Sequence, residues 1–231
     1  MDYESFLELV KGRRSTHAYK PDPVPDDSVD KIIEAARWAP SGANSQPWEF
    51  IIIKKNDLRE RIVEFFKEQH EISYKMEQTR APEQRFPTYR NPPQGTPGFA
   101  NAPVLIVVCG DPRTKEAYPL KAKLDRGASN FYSSLASAFL YMHLAATALG
   151  LGSQWVSASG LDLMQGRLKE FLAIPYGFEI YDMMALGYVA HEAKPRKVRS
   201  REEIVHLDKF DMARFRTQQQ VRDFIDGLWK R

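Results

Sequence analysis

Within five residues, Arg13-Arg14-Ser15-Thr16-His17 sets two guanidinium groups, two hydroxyls and an imidazole side by side. A phosphate group is recognised by this mixture of charge-assisted N–H donors and short hydroxyl donors. Side chains alternate along extended chain, so Arg13, Ser15 and His17 would share one side there. Read alone, such a run is more often a solvated surface or a phosphorylation site.

The loop Pro40-Ser41-Gly42-Ala43-Asn44-Ser45-Gln46-Pro47 is a second candidate, leading into Trp48. Gly42 permits unusual backbone angles or close approach of the chain. Carboxamides both donate and accept, so Asn44 and Gln46 suit a heterocycle with alternating N–H and C=O groups, such as the pyrimidine edge of a flavin. A polar turn is the simpler reading of equal weight. A third cluster, Lys197-Val198-Arg199, puts two cations on one side of extended chain. It suits a phosphate clamp or a positive charge near a flavin, although a basic tail by itself is usually solvated.

Alternating elements must position these groups. Tyr3, Phe6, Leu7 and Val10 form a helical stripe, with Gly12 as its stop. Val29, Ile32, Ile33 and Ala36 predict a second helix, capped by Asp26 or Asp27 and ending near Ala39-Pro40. Apolar runs predict strands over Trp48–Ile53, Val104–Cys109, Gln154–Ser157 and Ile180–Leu186. Further helices are expected over Leu58–Lys67, residues 128–149, Leu163–Leu172 and Thr217–Trp229. Strands interleaved with helices imply an α/β or α+β sheet domain. Residues 67–101 carry charge, aromatics and five prolines without clear periodicity, as a surface excursion or an active-site lid would. Residues 200–231 form an extension beyond the last strand.

The whole chain of 231 residues fits one domain. A net charge of +3 without a basic run argues against nucleic acid. The lone Cys109, inside an apolar run, excludes an internal disulfide or a cysteine-rich metal site. No pair of histidines has helical ligand spacing, so no metal is expected. The first ten residues lack the basic and apolar regions of a signal peptide. Together with the lone cysteine, this predicts a cytoplasmic protein. Ser133–Gly152 carries no formal charge and approaches a bilayer span in length. Its interspersed Ser, Thr, His and Tyr favour a buried central helix over a membrane segment. Gly150 and Gly152 follow a helix and precede a strand, the reverse of a dinucleotide fingerprint, and are read as ending the helix.

Four segments taken together resemble the nitroreductase family. They are Arg13-Arg14-Ser15, the Pro40–Trp48 loop, Leu149-Gly150-Leu151-Gly152-Ser153-Gln154-Trp155, and Ala185-Leu186-Gly187-Tyr188 followed by Pro195-Arg196-Lys197-Val198-Arg199. The resemblance implies an α+β fold whose central mixed sheet is surrounded by helices, with a long apolar helix at a homodimer interface. It implies FMN in two symmetric clefts. Arg13, Arg14, Ser15, His17, Lys197 and Arg199 would hold the phosphate and its surroundings. Pro40, Ser41, Gly42, Asn44 and Gln46 would come from the other subunit. Trp155, Val156, Ser157 and Ala158 would line the flavin near its reactive nitrogen. Position 17 departs from the family, which commonly has Arg or Lys there. The implied activity is ping-pong reduction of electron-poor small molecules, such as nitroaromatics or quinones, by NADH or NADPH. No side chain is named as a catalytic acid or base. A flavin-dependent dehalogenase, a flavin-fragmenting enzyme and a non-catalytic flavin-binding module are the alternatives.

Overall fold

The computed structural model describes residues 2–191 and 198–229. Its strands are β1 (Trp48–Ile53), β2 (Val104–Gly110), β3 (Gly152–Val156) and β4 (Glu179–Gly187), in the sheet order β1-β2-β4-β3. Every pairing between these strands is antiparallel. The expected mixed sheet is therefore corrected in this respect: among the described residues the one parallel link is an isolated bridge between Ser15 and Ser153. Helical connections suggest parallel neighbours, yet the helix α5 (Asp162–Phe171) returns the chain from β3 to β4 in the opposite direction.

Period-two alternation splits the sheet between two cores. From β2, Leu105, Val107 and Cys109 face one side, where they pack with Ile62, Phe65 and Phe66 of α3 (Asn56–Glu77) and with Met164 and Leu168 of α5. Val104, Ile106 and Val108 face the other, against Val29, Ile32 and Ala36 of α2 (Asp26–Arg37). That second core also takes Phe131, Leu135, Phe139 and Met142 of α4 (Leu120–Ala148). The sheet is thus the middle of three layers. Cys109 is buried, as expected, and burial pushes its thiol up to about 12.

Several boundaries differ from expectation. Helix α4 starts at Leu120 rather than 128, because Lys121, Lys123, Asp125 and Arg126 fill exposed turns that carry no apolar stripe. Helix α3 continues to Glu77, so the first part of the 67–101 segment is helical. Pro25, not Asp26 or Asp27, occupies the N-cap of α2, and no side chain caps it. The stripe of α1 (Tyr3–Gly12) forms a helix but buries no residue, leaving Tyr3, Phe6 and Val10 exposed. No helix among the described residues is long and apolar enough to cross a membrane. The chain ends in the one-turn helix α6 (Arg201–Ile204) and in α7 (Gln218–Trp229).

Candidate functional site

The basic N-terminal segment is held by backbone pairing. Thr16 N–H donates to Ser153 O at 3.0 Å, and Lys20 N–H to Tyr188 O at 2.9 Å. Tyr19 O–H donates to Thr16 O at 2.9 Å, and burial raises the pKa of that hydroxyl, keeping it a neutral donor. Thr16 is buried while Ser15 and His17 are exposed, the alternation expected of extended chain. Gly152 permits this closeness: a β-carbon there would lie 2.5 Å from Thr16 Oγ1 and 2.6 Å from Val189. Residues 15–20 therefore extend the sheet beyond β3 and bring the basic segment to the strand that carries Gln154–Val156.

Arg13 is half-buried. Arg14 folds back, its guanidinium donating to Lys11 O and, at 2.9 Å, to Arg13 O. It lines a hollow of about 350 Å³ with Gly12, Thr16 and Gly152. A separate cleft of about 280 Å³ lies between Trp155–Ala158 and the residues Phe66, Gln69, Tyr89 and Phe99, which form its other wall. The far end of the 67–101 segment reaches the basic segment, since a β-carbon on Gly98 would lie 3.0 Å from His17 Nδ1.

Trp155 is held from behind. Its indole N–H donates to Asp182 Oδ2 at 2.6 Å, and its ring stacks on His143 at 5.5 Å between centroids. Phe139 closes on both rings edge-on. His143 Nδ1 lies 2.7 Å from Ser153 Oγ, while its Nε2 has no partner among the described residues. Burial, then the charge of Arg13, pushes His143 down to about 3, so its ring is neutral. Burial pushes Asp182 up to about 6, against the hydrogen bond from Trp155.

The carboxamide loop is placed elsewhere. Gly42 N–H donates to Ser134 Oγ at 3.1 Å, and Ser134 in turn donates to Asn130 O at 2.7 Å. Ser41 Oγ accepts from Gln46 N–H at 3.1 Å. The left-handed residues are Ala43, Asn44 and Gln46, with φ of 50°, 51° and 41°, rather than Gly42. Gly42 instead serves close approach, because a β-carbon there would lie 3.1 Å from the Tyr118 ring. Pro40, Asn44 and Gln46 are exposed, with Ser41 half-buried. Ser134 and His143 mark where this loop and the basic segment meet α4. Nine residues separate them, about 13 Å along a helix. One chain therefore joins Arg13–His17 with Trp155–Ala158 but does not bring Pro40–Gln46 to them. Arg199 is bonded to Glu203, its Nη2 donating to Glu203 O at 3.0 Å. Lys197, like Pro195 and Arg196, lies outside the described residues.

Sequence reasoning missed four residues here. Gln69 and Gln154 line the cleft, and each has a buried amide oxygen without a partner among the described residues. His143 and Asp182 support Trp155. Gln69 did carry a signal, being a polar residue one helical step beyond Ile62, Phe65 and Phe66. Among the described residues, no group of three or more His, Cys, Asp or Glu is arranged to hold a metal ion.

A three-layer α+β fold lays a basic segment beside a cleft lined mostly by aromatic and apolar side chains. The family model for the Nitroreductase family matches residues 10–188, and the chain belongs to that family. A protein of Archaeoglobus fulgidus, provisionally named NADH dehydrogenase/NAD(P)H nitroreductase, is 28% identical over 189 residues, 82% of this chain and 88% of its own length. The iodotyrosine deiodinase of Danio rerio is 42% identical over 72 residues, 31% of this chain and 24% of the deiodinase. Among solved structures, a nitroreductase with bound FMN from Bacteroides fragilis superposes with a TM-score of 0.63 at 23% identity, covering 88% of this chain and 98% of the other.

Proposed function

We propose that the protein is a homodimeric, FMN-dependent oxidoreductase that uses NADH or NADPH to reduce electron-poor acceptors, such as nitroaromatics or quinones, in ping-pong order. The observation that carries this reading is the Ser15–Ser153 bridge, which sets a phosphate-binding combination of residues beside the strand leading to Trp155–Ala158. When bound, FMN supplies the hydride and electron chemistry, and the chain binds, orients and tunes it. The donor set fits the group: Arg13, Arg14, Ser15 and His17 offer charge and hydrogen bonds to a phosphate, with Lys197 and Arg199 as further cations. The unpaired, buried Gln154 oxygen is the acceptor that a flavin ring N–H would satisfy. Val156, Ser157 and Ala158 form the floor, and a backbone N–H near residues 157–158 would bond the reactive nitrogen. No side chain is required as an obligatory acid or base.

A second copy supplies Pro40, Ser41, Gly42, Asn44 and Gln46. The separation of about 13 Å along α4 supports this, as do the exposed Leu140 and Tyr141 of α4 and the uncovered stripe of α1. Apolar surface of this extent is characteristic of a subunit boundary. Residues 67–101 act as the lid over the cleft.

Anaerobic stopped-flow reduction of the purified protein tests the reading. Yellow protein should bleach with NADH or NADPH and recover its colour with a nitroarene or quinone. A colourless preparation that refuses added FMN would refute it. Reductive dehalogenation of a halogenated phenol is the second reading, favoured by the deiodinase match and by a lid wall rich in aromatic rings. Halide release from such a phenol under the same conditions distinguishes it.

A further inference from the structure

The lid wall of the cleft contains a polar group in a place that helix burial alone would not choose. Gln69 sits on the inner stripe of α3 with Ile62, Phe65 and Phe66, and only 9% of it is exposed. Its Nε2 donates to Ser73 Oγ at 3.3 Å, one turn further on. Its Oε1 is buried without a partner among the described residues. A buried acceptor left unpaired costs stability, and an apolar side chain would pack on this stripe without that cost. Most of the rest of the wall is aromatic, formed by Phe66, Tyr89 and Phe99 with His70 and Ser73 beside them, and Trp155 lies across the cleft. Such a wall takes a flat ring, and the amide oxygen adds a demand for one hydrogen-bond donor on it.

We propose that Gln69 is a specificity-determining residue of the acceptor site, its amide oxygen accepting a hydrogen bond from an O–H or N–H carried by an aromatic acceptor. This rests on the oxidoreductase reading above. Gln69 belongs to the lid helix and Gln154 to the strand opposite. A flavin lying on Trp155–Ala158 would meet Gln154, whereas a ring stacked between that flavin and the lid would meet Gln69. A buried polar group that only the correct ligand can pair also rejects the analogue lacking the donor, because binding the analogue leaves the group unsatisfied. The site would therefore prefer nitroarenes or quinones bearing a hydroxyl or amino group over their bare counterparts.

The test is equilibrium binding without nicotinamide, followed by quenching of tryptophan fluorescence in the FMN-loaded protein. The probes are 4-nitrobenzyl alcohol and 4-ethylnitrobenzene, which match in shape and differ in the O–H. The wild type should hold the alcohol about five- to ten-fold tighter, as expected for one net hydrogen bond. Gln69→Met should abolish that preference, with ethylnitrobenzene bound as well as or better than by the wild type and FMN binding unchanged within about two-fold. Gln69→Glu keeps an acceptor at the same place and should retain the preference, which decides the matter if the Met variant does not fold. Equal affinity of the wild type for both probes overturns the proposal. So does an equal loss on both in Gln69→Met, loss of the preference in Gln69→Glu, or a weakened FMN affinity that would make Gln69 a flavin contact. Failure to take up FMN at all refutes the oxidoreductase reading instead and is visible in the absorption spectrum.

Discussion

Replacing Asp182 with asparagine should make the protein's stability rise with pH through a range where the wild type is nearly level. Burial moves Asp182 from 3.8 to about 6, so between these values the folded chain holds one more proton there than the unfolded chain. By itself, this group lowers stability as pH rises through that window. Burial moves His143 the other way, from 6.5 to about 3, so there the unfolded chain holds the extra proton and stability rises with pH. Each slope is about 1.4 kcal/mol per pH unit where the proton difference is complete, and the two oppose each other. From pH 4.5 to 7, Asp182→Asn should therefore gain about 3 kcal/mol relative to its own value at pH 4.5. His143→Gln should instead lose about 2 kcal/mol over the same range. Asparagine can still accept from the indole N–H of Trp155, so the packing is retained. Urea unfolding at a series of pH values, at fixed protein and flavin concentration, measures the slopes. Parallel pH profiles for wild type and Asp182→Asn would refute the assignment of buried, oppositely shifted groups.

Gly152→Ala should cost about 1–3 kcal/mol by urea unfolding, because its β-carbon would press on Thr16 and Val189. Ser134→Ala should lose about 1 kcal/mol and weaken FMN binding, since it removes the acceptor for Gly42 N–H. Arg13→Ala should raise the FMN dissociation constant about ten-fold or more in a fluorescence titration, as expected for a lost charge-assisted contact. Leu140→Glu leaves the subunit's own core intact, as Leu140 is exposed. Sedimentation should give a monomeric mass for it, accompanied by loss of flavin.

The strands were the most legible part of this chain. Trp48–Ile53 was read with the bounds observed, and the other three within two residues, because buried strands present uninterrupted apolar runs. Direction was not legible: hydrophobic periodicity assigns faces, not parallel or antiparallel pairing, hence the expectation of a mixed sheet. The full length of α3 was hidden because beyond Lys67 its inner positions turn to Gln69, His70 and Ser73. In the candidate site, the Arg13–His17 segment was read from its residue types and Trp155–Ala158 came only with the family resemblance; the fold sets Ser15 beside Ser153, on the strand that runs into Trp155. His143 and Asp182 were illegible as partners of Trp155, since the contacts that bring them there span distant parts of the chain. The left-handed residues of the 40–47 loop fell on Ala43, Asn44 and Gln46, where composition had suggested Gly42.

Helix α4 has a mechanical consequence. It spans 29 residues, and near its middle Ser134 fixes the 40–47 loop, while about two and a half turns later His143 forms the bed under Trp155. A rigid rod gripped at both places cannot tilt without displacing both. Any strain applied to its outer surface, by a neighbour or by a substitution, is transmitted to two remote stations at once, as a lever moves both of its arms.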